Sequence, residues 1–325
     1  FTAAQTEKAH KEIAEVVDQV AKETGKEYLF ISRSDSTLRG HYPLETTILK
    51  DEYEKNTGKK IDGEVLCPFF KEGGRFTIDD VHYVQYDDTL VPAAETEFAK
   101  DKTFGYTVSN LKEYVEEKTQ GAYKKENVTA ISLENIRELN YDKIEEQLLA
   151  VEDFNKVIVN AIDYVDVKIF CVALFRAMKK GKNFMFRTAA AIVKVMGGVS
   201  NQPLLTREQM VVKETDNGGI IVVGSHTDKT TRQMEKLREN KDIAFVELNA
   251  TLVNDEAAFA EEVERCLALE EEYISSGKSV CVYTTRALIT ADTGDKEDDL
   301  RLSVRISDAV QSLVGRLTVT PSFVI

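Results

Sequence analysis

Residues 33–41, Arg-Ser-Asp-Ser-Thr-Leu-Arg-Gly-His, lie one residue beyond the apolar run Tyr28-Leu29-Phe30-Ile31. An arginine presents a planar fork of donors that matches a carboxylate, and an aspartate accepts from hydroxyl groups. Arg33, Asp35, Ser36, Thr37, Arg39 and His41 together would therefore suit a small hydroxylated acid, and Gly40 would permit a sharp turn or a close ligand approach. The same residues have a plainer reading, with Ser34 or Asp35 capping a helix and the arginines paired to surface acids.

Further polar clusters recur after apolar runs. In "FMFRTAAA", Arg187 and Thr188 precede three alanines; they could face a ligand or form a sheet-edge ion pair. Gly197 and Gly198 nearby read as a helix stop. "IIVVGSHTDKTTRQMEKL" offers a Gly224-Ser225 turn and then a helix carrying Lys229, Thr230 and Thr231 in its opening turn. That arrangement can hold phosphate on main-chain N–H groups at a positive helix end, although it is neither GxxxxGK[ST] nor GxGxxG. "VYTTRALI" puts Thr284, Thr285 and Arg286 at another such end, and "CPFFKEGGRFT" sets Lys71 and Arg75 around a Gly-Gly turn that could serve as a lid.

Such clusters need elements to position them. Thr2 and Gln5 have capping-box spacing, and apolar Ile13, Val16, Val17 and Val20 predict a helix over 2–24 that stops at Gly25. Strands are expected at 27–32, 62–70, 156–161 and 183–188, with helices at 141–152 and 166–180 and an excursion of hairpins and loops over 71–110. A second alternating block has strands at 219–225, 244–249, 279–285 and 320–325, and helices at 229–239, 255–276 and 300–315. The fold class is α/β: two domains, each a mostly parallel or mixed sheet flanked by helices, with a cleft between them. The boundary falls near 205–218 and is drawn at 212/213. In such sheets ligands bind beyond the carboxyl ends of strands, where the polar clusters lie.

Composition narrows the function. At 325 residues, with 42% hydrophobic side chains, the chain can fill two cores. Its 42 basic against 56 acidic residues give a formal charge of −14, which argues against nucleic acid as a partner. Local arginines can still attract a small anion. No apolar run approaches the roughly 18 residues of a membrane span and no signal peptide opens the chain, so a cytoplasmic location is expected. Cys67, Cys171, Cys266 and Cys281 read as reduced core fillers, and no metal-ligand spacing is present.

Taken in order, "SRSDSTLRGH", "FRTAA", "GSHTDKTTRQ" and "VYTTR" resemble the four-carbon acid sugar kinase family, across nearly the whole chain. The resemblance implies ATP-dependent phosphorylation of threonate, erythronate or 3-oxo-tetronate at its terminal C4 hydroxyl. Residues 1–212 would bind the acid sugar and 213–325 the nucleotide. Carried over, Asp35, Ser36, Arg39, Arg187 and Thr188 would face the substrate, with Asp35 as the visible candidate base. Gly224, Ser225, His226, Thr230, Thr231 and Thr285 would hold ATP with Mg²⁺, and no protein-held metal is implied. Chemistry would pair Arg39 and Arg187 with the carboxylate and Asp35 with a hydroxyl. His41 stands where relatives often carry Asn.

The family's early Asp-rich segment and its late Gly-Gly-Thr segment do not occur here. Both would lie beyond ends that read as cut, Phe1 opening directly on a helix and "TPSFVI" closing on a strand-like run. The first domain is thus expected to lack its first strand or strands and the second its C-terminal part, so this stretch by itself need not be active. A homodimer is compatible with the sequence. The alternatives are an ATP-independent sugar-acid isomerase or lyase, and a non-catalytic sugar-acid binding protein.

Overall fold

The structure is a computed structural model that describes residues 1–210, 215–291 and 295–325. The chain divides into two compact units, Phe1–Asn201 and Gln202–Ile325. The 212/213 boundary expected from sequence lies outside the described residues.

The first unit opens on α1 (Ala3–Thr24), where Thr2 and Gln5 complete the capping box and Gly25 closes the helix in the left-handed region at φ 65°. Next come β1 (Ile31–Arg33), α2 (Leu44–Thr57) and β2 (Gly63–Cys67), and then β3 (Arg75–Ile78), β4 (Val81–Tyr86) and β5 (Thr89–Pro92). After α3 (Leu111–Lys118) the chain resumes strand–helix alternation with β6 (Thr129–Ile131), α4 (Leu133–Arg137), α5 (Tyr141–Leu149), β7 (Asn155–Val159), α6 (Tyr164–Lys179), β8 (Phe184–Thr188) and α7 (Ala190–Met196).

Five of these strands form one sheet in the order β1-β8-β2-β7-β6, every pairing parallel. Val65, Val157, Phe170 and Phe186 are fully buried around it, each side chain contributing about 1.5–3 kcal/mol on leaving water. The excursion over 71–110 contains a separate antiparallel sheet, β3-β4-β5. The strand expected at 27–32 is confined to Ile31–Arg33. Tyr28 and Phe30 instead set their rings edge-on against each other and Tyr53, so the apolar run ends in side-chain packing ahead of a ladder.

The second unit begins with α8 (Arg207–Met210) and continues through β9 (Ile220–Val223), α9 (Asp228–Leu237), β10 (Ile243–Leu248), α10 (Glu256–Ser275), β11 (Ser279–Thr284) and α11 (Lys296–Gly315). Its sheet runs β10-β11-β9, all parallel. The expected strand at 320–325 is reduced to a parallel bridge between Val324 and Ile220, with Ile220 donating to the Phe323 carbonyl at 2.9 Å. All four cysteines are buried and free, and burial pushes the Cys67 thiol up to about 12, which makes it unreactive.

Candidate functional site

The loop after β1 is held by its own main chain. His82 Nε2 donates to the Ser36 carbonyl at 2.8 Å, Tyr106 Oη to that of Thr37 at 2.8 Å and Tyr114 Oη to that of Leu38 at 2.7 Å. Arg187 Nη2 reaches the carbonyls of Leu38 at 3.4 Å and Arg39 at 3.3 Å. Four consecutive carbonyls are thus anchored by side chains from β4, the segment before α3, α3 itself and β8. The clamp fixes Leu38 at φ 70° and Gly40 at φ 133°, backbone shapes that cost a side chain energy unless the surroundings impose them. A Cβ added at Gly40 would lie 2.9 Å from Glu45 Oε1.

The tautomer of His82 follows from its partners. A carbonyl only accepts, so Nε2 carries the proton and Nδ1 accepts from the Thr77 hydroxyl at 3.0 Å. Burial pushes the ring's pKa down to about 4, which keeps it neutral in this role at pH 7.

With its backbone clamped, the loop turns its charged side chains to a cavity of about 410 Å³ lined by His10, Arg33, Asp35, Arg39, Glu45 and Phe104, among others. Asp35 accepts from Thr37 Oγ1 and from Arg39 Nε, the latter at 2.8 Å. Burial alone would raise the Asp35 carboxyl, but these hydrogen bonds and the Arg39 charge outweigh it and hold it below the usual aspartate value. Arg39 also lies 3.7 Å from Asp101 and sits over the Phe98 ring. Arg75 covers the same ring and feels the charge of Asp35.

Asp35, Ser36, Arg39, Arg187 and Thr188 therefore meet around one loop, in unequal roles. Asp35 and Arg39 line the cavity. Ser36 contributes a carbonyl to the clamp. Arg187 is 3% exposed and stacks on Tyr42, its charge turned to the loop carbonyls. Thr188 is buried with a hydroxyl that has no partner. His41 is drawn off by the Phe1 carbonyl and the Phe104 ring. His10, Glu45, Asp101 and Phe104 carry no local signature of a site, because each reaches it from a different element.

In the second unit β9 runs into residues 224–227 and then α9. Ser225, Thr227 and Thr230 link their hydroxyls in a triangle, with separations of 3.2, 3.1 and 3.2 Å. Thr284 at the end of β11 donates to the Gly224 carbonyl at 3.1 Å, and Arg286 donates to Thr231 at 2.9 Å. The adjoining strand ends thus share one polar surface with the first turn of α9. Thr285 is used structurally: its hydroxyl accepts from Ala250 N at 3.1 Å and donates to the Leu248 carbonyl. His226 is exposed in the turn, and a Cβ at Gly224 would meet nothing within 4 Å. Arg286 keeps Nε and Nη1 buried without a partner.

One unit with a clamped, arginine- and carboxylate-bearing loop, and a second with a hydroxyl-rich strand–turn–helix, define a two-domain α/β protein built to handle small polar ligands. Residues 3–196 match the family model described as the sugar-binding N-terminal domain, and residues 220–325 match the nucleotide-binding C-terminal domain. The chain belongs to the four-carbon acid sugar kinase family that this pair of domains defines.

Two solved structures match the chain. A Salmonella typhimurium LT2 protein that carries a provisional tRNA synthase name matches 91% of this chain at 14% identity, with a TM-score of 0.55. The Haemophilus influenzae protein HI1011 matches 92% at 18% identity, with a TM-score of 0.48. The chain spans 66% of the length of each of them. No curated protein matches the sequence.

Proposed function

We propose that the protein is an ATP-dependent kinase for the terminal C4 hydroxyl of a four-carbon acid sugar such as threonate, erythronate or 3-oxo-tetronate. The observation that carries this reading is the clamped loop: its carbonyls are fully engaged, so its side chains are free to define a polar cavity of about 410 Å³ in a sugar-binding domain. Asp35, kept ionised by Thr37 and Arg39, is a strong acceptor for a substrate hydroxyl and a weak base. That suits phosphoryl transfer, in which positioning and charge stabilisation outweigh proton abstraction. Arg39 shapes Asp35, Ser36 and Thr188 support the loop and its floor, and Arg187 acts on the acid through the loop.

ATP would lie on the second unit, at Gly224, Ser225, His226, Thr230 and Thr231, with Thr285 bracing the neighbouring strand end. Among the described residues no group of three or more His, Cys, Asp or Glu side chains could hold a metal ion. Mg²⁺ would arrive on the nucleotide phosphates, as in phosphoryl transfer generally, and neutralise charge there.

A coupled ADP-release screen of the full-length protein over four-carbon acids tests the proposal. Acid-dependent ADP formation is the expected result. Conversion of an acid without ATP, or binding without turnover of any of them, would replace it by an isomerase, a lyase or a binding protein.

A further inference from the structure

Within the sugar-kinase reading, we infer that Arg33 is the residue that recognises the substrate carboxylate, a role the sequence suggests for Arg39 and Arg187. Both of those are already committed. Arg39 is bonded to Asp35 at 2.8 Å and lies within ion-pair reach of Asp101. Arg187 is 3% exposed and donates to the carbonyls of Leu38 and Arg39.

The remaining acid on the cavity wall, Glu45, accepts from the His41 amide at 2.9 Å and stands in the field of the Arg187 guanidinium behind it. Arg33 alone among the cavity-lining cations has neither a hydrogen-bond nor an ion-pair partner among the described residues. It is the last residue of β1, paired in register with Thr188 of β8. The ladder therefore places it at the carboxyl end of the sheet, immediately before the clamped loop.

The chemistry follows from that inventory. A guanidinium with all its donors unspent gains most from a planar two-oxygen anion. The Arg39 charge is already shared between Asp35, through Nε, and Asp101, 3.7 Å from Nη1, so a ligand carboxylate gains less from it than from Arg33. Arg33 thus sets the selectivity for an acid over the corresponding neutral polyol, while Asp35 and its neighbours handle the hydroxyls that both share.

The test is titration calorimetry on the full-length protein with erythronate and threonate, and with the neutral erythritol and threitol, in wild type, Arg33→Gln and Arg33→Lys. Arg33→Gln is expected to lose about 10- to 100-fold in acid affinity, the range for a charged hydrogen-bond pair. Polyol affinity should stay unchanged, and Arg33→Lys should recover part of the loss. Because Arg33 is exposed, melting temperatures should match wild type.

Equal losses for acid and polyol, no loss for the acid, or a wild type that binds neither acid would each overturn the assignment. Failure of the kinase reading is separable from this: wild type would release no ADP while acid affinity still depended on Arg33.

Discussion

Arg187 Nη2 lies 3.4 Å from the carbonyl oxygen of Leu38 and 3.3 Å from that of Arg39, joining the end of β8 to the loop after β1. A fully charged side chain is thus spent on two main-chain acceptors in the interior. Arg187→Met should leave the Arg39 carbonyl unsatisfied, reduce the Leu38 carbonyl to its bond from Tyr114, and remove the buried cation nearest Glu45. The expected destabilisation is about 3–5 kcal/mol, with weakened acid binding although the side chain does not line the cavity. Both bonds come from the outermost nitrogen, Nη2, so Arg187→Lys should rescue only the charge, its ammonium ending short of that position. Urea denaturation checks this; an unchanged midpoint would remove the clamp from the account.

Glu64 and Lys156 form a wholly buried pair at 2.7 Å, each 0% exposed, on neighbouring β2 and β7. Tyr42, which lies under Arg187, donates to Glu64 at 3.2 Å, and the Lys156 ammonium sits 3.5 Å from the Phe154 ring centroid. Glu64→Leu or Lys156→Met alone should cost about 3–5 kcal/mol, by stranding a buried charge. The double variant should cost much less than the sum. A double-mutant cycle in denaturant reads the coupling, and additive losses would show that the two charges do not depend on each other.

Glu270 on α10 is 0% exposed and neither carboxylate oxygen has a hydrogen-bond partner. Burial, aided by the adjacent Glu271, pushes its pKa up to about 8. The folded value lies above the unfolded one of about 4.3, so the native state holds the proton more tightly. Its contribution is full below pH 4.3 and declines as pH rises through about 8. Glu270→Gln should flatten the fall in melting temperature over that window and stabilise the second unit at pH 8. Parallel pH profiles for wild type and variant would discard the idea.

Arg286 donates to Thr231 while Nε and Nη1 stay buried and unpartnered beside the first turn of α9. If nucleotide phosphates supply the missing acceptors, Arg286→Met should weaken ATP about 10-fold or more. The ATP-induced rise in melting temperature would shrink accordingly, because a ligand stabilises in proportion to its occupancy of the native state. An undiminished rise would assign Arg286 to folding alone.

Elements governed by near neighbours were legible in the sequence. The Thr2–Gln5 capping box, the left-handed stop at Gly25 and the strand–helix alternation behind both sheets all appear where the spacing puts them. The run 27–32 misled because aromatic side chains that favour strands can equally well pack on a helix, as Tyr28 and Phe30 do on Tyr53. At 320–325 the main chain bonds to Ile220 through a few contacts, too few for a strand.

Residue types alone showed that Arg33, Asp35 and Arg39, gathered in one short span with hydroxyl groups, would suit a hydroxylated anion, and that Arg187 could face a ligand or form an ion pair. What each arginine does was decided only by the tertiary structure. Whether a guanidinium is free, paired or spent on carbonyls depends on Asp101 and on the approach of β8, both far along the chain. Hydrogen bonds across such separations leave no periodic trace in the sequence, whereas a helix cap is written within a single turn.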